Sequence, residues 1–212
     1  KNNAIFSEYL HEEDQKEIVE GWLSLGDHGY LDELGHLHIL DRQEDVITNT
    51  DGEIIYPRLV ENELKSSPYI QEAVCFGKDK PYMTAILNID MNSVGRWADK
   101  NRILYTEYSD LSRNPKVVEL IEQQVEQLMS KLSPQNRVKK FSILHKQFTA
   151  DQGELTRTLK IRRNFVEQKY KILLDGMYSD TQEVSLTSSQ TESVEEEVSL
   201  RVIQLKIEQG VA

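Results

Sequence analysis

Ile70-Gln71-Glu72-Ala73-Val74-Cys75-Phe76 and Met83-Thr84-Ala85-Ile86-Leu87-Asn88-Ile89, joined across Gly77-Lys78-Asp79-Lys80-Pro81, decide the fold. Both runs are apolar and β-prone, and a turn rich in Gly and Pro between them makes them neighbouring strands. Upstream, Pro57 suits the first position of a helix, and Leu59, Val60 and Leu64 give that helix its apolar stripe. Ser67-Pro68 ends it, because the residue before proline is pushed out of the helical region. Downstream, a short helix is expected from Ser93 to about Asn101. Asn114-Pro115 starts the clearest helix, running to about Leu132, with Val117, Ile121, Val125, Leu128 and Leu132 on one face. Ser133-Pro134 stops it, Phe141 to Leu144 reads as a short strand, and a last helix runs from about Arg162 to Leu174. Strands and helices interleave, so the fold class is α+β: a short β-hairpin plus a small mixed sheet flanked by helices.

Towards the N-terminus, residues 12–20 read as a short helix or loop, and three glycines in Gly21-Trp22-Leu23-Ser24-Leu25-Gly26-Asp27-His28-Gly29-Tyr30 imply tight backbone geometry. Leu37 and Ile39 then alternate with His36 and His38 behind a turn containing Gly35, a hairpin signal. Asp41-Arg42-Gln43-Glu44-Asp45 is a charged break, Val46-Ile47 a short strand, and Asp51-Gly52 a turn. Beyond Tyr178 the composition shifts. Residues 179–193 are rich in Ser, Thr, Gln and Glu and read as a flexible linker, while residues 199–207 fit strand and helix equally.

The chain has 212 residues, 38% of them hydrophobic, enough for one domain with a core of its own. With 36 acidic against 25 basic residues its net charge is −11, which disfavours nucleic acid as a partner, since phosphate contacts need concentrated Lys and Arg. A locally basic stretch does run from Arg137 to Arg163. The single cysteine, Cys75, lies in an apolar run and is expected to be buried and inert in a reducing, cytoplasmic setting. No apolar run is long enough to span a bilayer, which leaves peripheral membrane contact open. Lys1 to Leu10 lacks the apolar core of a signal peptide and reads like the middle of a longer protein.

Several short segments, weak singly, occur in a telling order: Gly21-Trp22 to Asp27, Leu40-Asp41-Arg42, Val60-Glu61-Asn62-Glu63-Leu64-Lys65-Ser66-Ser67-Pro68-Tyr69-Ile70, and Leu155-Thr156-Arg157-Thr158-Leu159-Lys160 with Ile161-Arg162-Arg163 behind it. Over roughly residues 21–170 the chain resembles the adenylate-forming ligases, most closely the long-chain fatty acid acyl-CoA synthetases. The resemblance implies the small C-terminal domain of an enzyme that activates a fatty acid with Mg-ATP to acyl-AMP and passes the acyl group to coenzyme A. It implies residues 1–41 as the tail of a large N-terminal domain, 42–178 as the mobile domain, and 179–212 as a polar linker and tail. The large domain of the same protein, a fatty acid, ATP, Mg and coenzyme A are the implied partners and cofactors. The fragment alone is expected to be inactive, because it contains no phosphate-binding loop rich in Ser, Thr and Gly.

By the same resemblance Asp27 and Arg42 bind the ATP ribose. A carboxylate can accept from both hydroxyls of a diol, and a guanidinium fork suits diol and phosphate oxygens. Asp41 and Glu44 belong to the hinge, Gly52 lies beside the pantetheine arm of coenzyme A, and Lys160 is the catalytic lysine. The sequence departs from the family at Leu25, at Gln43 and Glu44 (usually both lysine), at Asp51 and at Arg157 (usually proline). Each residue has a blander reading beside its functional one: an aspartate or glycine in a turn, a solvated charge. No metal ligand set is expected, because His36 and His38 suit an exposed strand face better. The rival reading of the whole chain is a non-catalytic α+β interaction module of the same fold.

Overall fold

The structure, a computed structural model, describes residues 18–19, 22–23, 25–190 and 194–206. The chain divides into two compact units, residues 1–46 and 47–212. In the first unit Ile18–Val19 (β1) pairs with Trp22–Leu23 (β2), so a short strand stands at the end of the stretch read as helix or loop. The expected hairpin follows, Asp27–Leu31 (β3) against Leu37–Arg42 (β4), with a register shift between His28 and Gly29. Gly29 has no alternative there: a Cβ would sit 2.3 Å from the His38 carbonyl oxygen. The Asp32 carboxylate ties the connecting turn, accepting from the Leu34 and His36 amides at 3.0 and 2.8 Å.

The second unit opens with a small hairpin, Ile47–Thr48 (β5) and Ile54–Ile55 (β6), followed by helix α1, Pro57–Leu64. The two apolar runs form Ile70–Phe76 (β7) and Met83–Ile89 (β8), an antiparallel pair as their sequence predicts. Helices Met91–Lys100 (α2), Tyr108–Arg113 (α3) and Pro115–Met129 (α4) then cross over to Val138–Ile143 (β9), which lies parallel to β8. Asp90 caps α2 by accepting from the Ser93 amide at 2.7 Å, and Asn114 caps α4 by accepting from the Lys116 amide at 3.0 Å. The last predicted helix is broken at Tyr170 into Arg163–Lys169 (α5) and Lys171–Met177 (α6). Glu183–Gln190 (β10) and Val194–Arg201 (β11) form a hairpin, and Ile203–Gln204 (β12) joins the main sheet beside β9.

The main sheet runs β12-β9-β8-β7 and is covered on both faces. Every residue of β8 is buried, as expected of a central strand sandwiched between layers. Side chains alternate across it. Met83, Ala85, Leu87 and Ile89 join a core with α1 to α4, through Val60, Leu64, Val94, Leu111, Val117, Ile121 and Val125. Ile86 joins a second core with Val74, Val166, Leu173, Met177, Val184, Val198 and Leu200. The polar side chains of β8 are satisfied: Thr84 Oγ1 meets Tyr178 Oη at 3.2 Å, and Asn88 bonds the Phe148 amide at 2.7 Å and the Lys146 carbonyl at 2.9 Å. Among the described residues no helix is long and apolar enough to cross a membrane.

Of the stretch read as a linker over 179–193, Glu183–Gln190 form a strand of the C-terminal hairpin, and residues 191–193 lie outside the described residues. Polar composition drove that reading, but Val184 opposite Leu200 and Leu186 opposite Val198 share one face, and Val184, Val198 and Leu200 are buried. A period of two supplies a strand with a core face even where average hydropathy is low. The amides paired between β10 and β11 are therefore expected to be protected from hydrogen exchange. Exchange at the rate of an unstructured peptide over residues 183–186 and 198–201 would overturn this.

Candidate functional site

The hairpin register brings Asp27 and Arg42 side by side on adjacent strands, a juxtaposition that their fifteen-residue separation does not reveal. Arg42 Nε lies 3.2 Å from Asp27 Oδ1, and Arg42 Nη1 donates to the Leu25 carbonyl at 3.1 Å. The guanidinium is thus held at two points, while both side chains keep part of their surface open. Asp41, next in line, is buried and accepts from the Arg42 amide at 2.8 Å. The chain leaves this unit through a turn in which the Asp45 and Val46 amides donate to the Arg42 carbonyl, with Glu44 exposed on it. His36 Nδ1 and His38 Nε2 converge on Asp32 Oδ2 at 3.1 and 3.0 Å.

In the second unit Lys160 stands exposed on a turn closed by pairing of Leu155 with Ile161. The Thr156 amide donates to the Lys160 carbonyl at 2.8 Å, and the Lys160 amide to Thr156 Oγ1 at 3.0 Å. Leu159 takes φ +60°, a conformation disfavoured for a side chain with a Cβ and held here by the hydrogen bond its amide donates to the Thr156 carbonyl at 2.9 Å. Thr158 Oγ1 lies 3.0 Å from Thr156 Oγ1. Backbone and threonine hydroxyls thus fix the turn, leaving the long ammonium arm to reach outwards.

Gly52 occupies the turn between β5 and β6 at φ +80°, with open space where a Cβ would point. Asn49 organises that turn: its Oδ1 accepts from the Asp51 and Glu53 amides at 3.0 and 2.9 Å. Beside it is a cavity of about 300 Å³ lined by Asp51, Glu53, Tyr82, Arg137 and Lys139 among others. Gly52 and Lys160 lie on separate turns and share no hydrogen bond.

Sequence reasoning missed the groups that hold the Lys160 turn. Glu154 is fully buried, accepting from Lys169 Nζ at 2.8 Å, Tyr170 Oη at 3.1 Å and the Thr149 amide at 3.3 Å, with Lys146 Nζ at 3.8 Å. Although burial opposes it, hydrogen bonding and the lysine charges hold its carboxyl below the usual range. On the other side of the turn, Arg163 binds Glu61 through two nitrogens, at 2.8 and 3.1 Å, from 102 residues away. The polar stretch before Leu155 gave no sign that Glu154 is buried, and nothing in local sequence marks Glu61 as the partner of Arg163, 102 residues away.

His145 adjoins this cluster. Burial foremost, then the charges of Lys146 and Arg113, pulls its pKa down to about 4. The folded state therefore holds it neutral, while the unfolded state protonates it below its ordinary value near 6.5. The sign follows: this stability is present above pH 6.5 and is lost as pH falls from 6.5 towards 4. His145→Gln is expected to flatten the fall in melting temperature over that window, and an unchanged slope would show that other groups cause it.

Comparison with known proteins bears on this arrangement. Residues 44–182 match the family described as the AMP-binding enzyme C-terminal domain. The long-chain-fatty-acid–CoA ligase FadD15 of Mycobacterium tuberculosis is 31% identical over 182 residues, 84% of this chain and 30% of its own length. The chicken long-chain-fatty-acid–CoA ligase ACSBG2 is 29% identical over 211 residues, 90% of this chain and 28% of its own. The chain thus spans under a third of the length of these curated relatives. The adenylation domain of a carboxylate reductase from Mycobacterium chelonae shares the fold, with a TM-score of 0.59 at 21% identity, over 76% of this chain and 23% of that one.

Proposed function

The chain belongs to the AMP-binding enzyme C-terminal domain family, and from that premise we propose that it is the mobile C-terminal part of a fatty acid–CoA ligase. The observation that carries the proposal is Lys160, an exposed ammonium on a turn fixed at both arms. In the proposed first step a fatty acid carboxylate oxygen attacks the α-phosphorus of ATP, taken as its magnesium complex. The bond to the β-phosphate breaks, and acyl-AMP and pyrophosphate result. Lys160 offsets the negative charge that gathers as carboxylate and phosphate meet. In the second step the coenzyme A thiolate attacks the acyl carbon and expels AMP.

The Asp27 carboxylate and Arg42 fork are proposed to receive the ribose hydroxyls, which their 3.2 Å pairing and partial exposure support. Asp41 and Glu44 flank the turn about which the small domain rotates between the steps, a hinge motion of the usual kind. The open backbone at Gly52 leaves room for the pantetheine arm. A large N-terminal domain completes the site and brings the acyl pocket.

The test is an assay of the full-length protein with ATP, coenzyme A and saturated fatty acids of graded length. Release of AMP and pyrophosphate that depends on fatty acid, with acyl-CoA as product, is the expected result. Turnover only of acids without an alkyl chain would redirect the substrate assignment. No adenylate formation with any carboxylic acid would remove the ligase reading.

A further inference from the structure

We propose that Glu61 and Arg163 are positioning residues for Lys160, an ion pair that fixes the downstream arm of its turn. The proposal rests on the reading of Lys160 as the adenylation lysine and adds to it the groups that aim that side chain.

Lys160 is separated from the first residue of α5, Arg163, by two residues only. Arg163 meets Glu61 of α1 in a two-pronged contact, Nη1 to Oε1 at 2.8 Å and Nη2 to Oε2 at 3.1 Å. The same Nη1 donates to the Cys75 carbonyl at 2.7 Å, and the Cys75 amide donates to Glu61 Oε1 at 2.7 Å. Helix α1, edge strand β7 and the start of α5 are thus clamped at one point. The carboxylate and guanidinium side chains keep only 10% and 23% of their surface exposed.

Two features argue that stability is not the pair's whole purpose. A pair so shielded must offset the desolvation of both charges, and apolar residues of the same shape often serve the fold equally well. Arg163 also places a cation in the first turn of a helix with no acidic residue there, where the macrodipole disfavours positive charge. What the pair does supply is direction. A two-pronged guanidinium–carboxylate contact fixes orientation as well as distance, which a lysine cannot do. The upstream arm has its own buried carboxylate: Glu154, whose carbonyl accepts from the Arg162 amide at 2.9 Å. Between these two posts only the tip, Thr156 to Lys160, projects.

The bland alternative is that the pair merely satisfies the edge of β7 at Cys75. The test uses the full-length enzyme carrying Glu61→Gln, with Leu111→Ala as a control that loosens the first core, to which the turn's closing residues Leu155 and Ile161 do not belong. If the pair positions Lys160, acyl-adenylate formation falls roughly 10- to 100-fold, since small misplacements of a catalytic group cost that much, while conversion of pre-made acyl-adenylate to acyl-CoA changes less than about twofold. Amides of residues 156–161 should exchange faster in Glu61→Gln and not in Leu111→Ala. Equal loss in both half-reactions, or unchanged exchange at the turn, would reduce the pair to edge capping and overturn the proposal. Should Glu61→Gln fail to fold, Arg163→Lys, which keeps the charge and loses the fork, carries the same test. If Lys160→Ala leaves adenylation intact, the failure lies in the assignment of Lys160, and the exchange arm still decides whether the pair holds the turn.

Discussion

Lys160→Ala in the full-length protein is expected to lower acyl-adenylate formation by two to three decades, while conversion of pre-made acyl-adenylate to acyl-CoA survives. Adenylation drives a carboxylate against an anionic triphosphate, so negative charge crowds together as the new bond forms. An ammonium poised there acts mainly in the transition state, and removing one such group costs about 2.7–4 kcal/mol. The structure suits the role. The turn is fixed by its own backbone and by Thr156, and the side chain is exposed rather than spent on an internal ion pair among the described residues. Lys160→Arg should not restore the rate, because the bulkier fork fits a different geometry. The neighbouring Arg162 contacts the Gly153 carbonyl at 3.2 Å, and Arg163 is committed to Glu61. Loss of equal size in both half-reactions would show that the lysine serves something other than the first step.

Phe141→Ala is expected to cost about 3–5 kcal/mol of unfolding free energy, the range for truncating a buried aromatic residue. Phe141 is fully buried in β9, with Ala85 of β8 on one side and Ile203 of β12 on the other. Ala85 is too small to fill the space, and the strand backbone cannot collapse without breaking its pairings. Urea unfolding followed by circular dichroism would read the change as a lower midpoint with little change in slope. A cost below about 1 kcal/mol would show that neighbouring side chains refill the site, and would move the weight of this core elsewhere.

The parts legible in the sequence were those where local chemistry and tertiary environment agree. Pro57 and Asn114-Pro115 mark helix starts, and the stripe from Val117 to Leu128 faces the core as its spacing predicts. The apolar runs of β7 and β8 are buried strands. Helix α3 escaped notice because it has six residues and is capped by Glu107 with Asp110 rather than by Ser or Thr. The start of β9 was hidden by Lys139 and Lys140, which lie on a strand otherwise read by its apolar residues. Leu132 lies beyond α4, which ends at Met129, although it still packs against the core. Of the candidate site, residue types were readable and distances were not. Asp27 and Arg42 face each other only because a bulge at His28 and Gly29 sets the register. The clamp from Glu61 to Arg163 depends on a topology that folds α1 and α5 onto the same strand.

The placement of β12 bears on how this protein can be cut. The family match ends at residue 182, yet the fourth strand of the main sheet comes from residues 203–204. A fragment trimmed to the match would leave β9 as the outermost strand, with Lys140 and Phe141 stripped of their pairing and the amide and carbonyl groups there bare. It would also uncover the face that Val184, Val198 and Leu200 seal. Unpaired strand edges recruit strands from other molecules. The shortened domain should therefore self-associate, whereas a boundary placed after residue 206 should leave a monodisperse one.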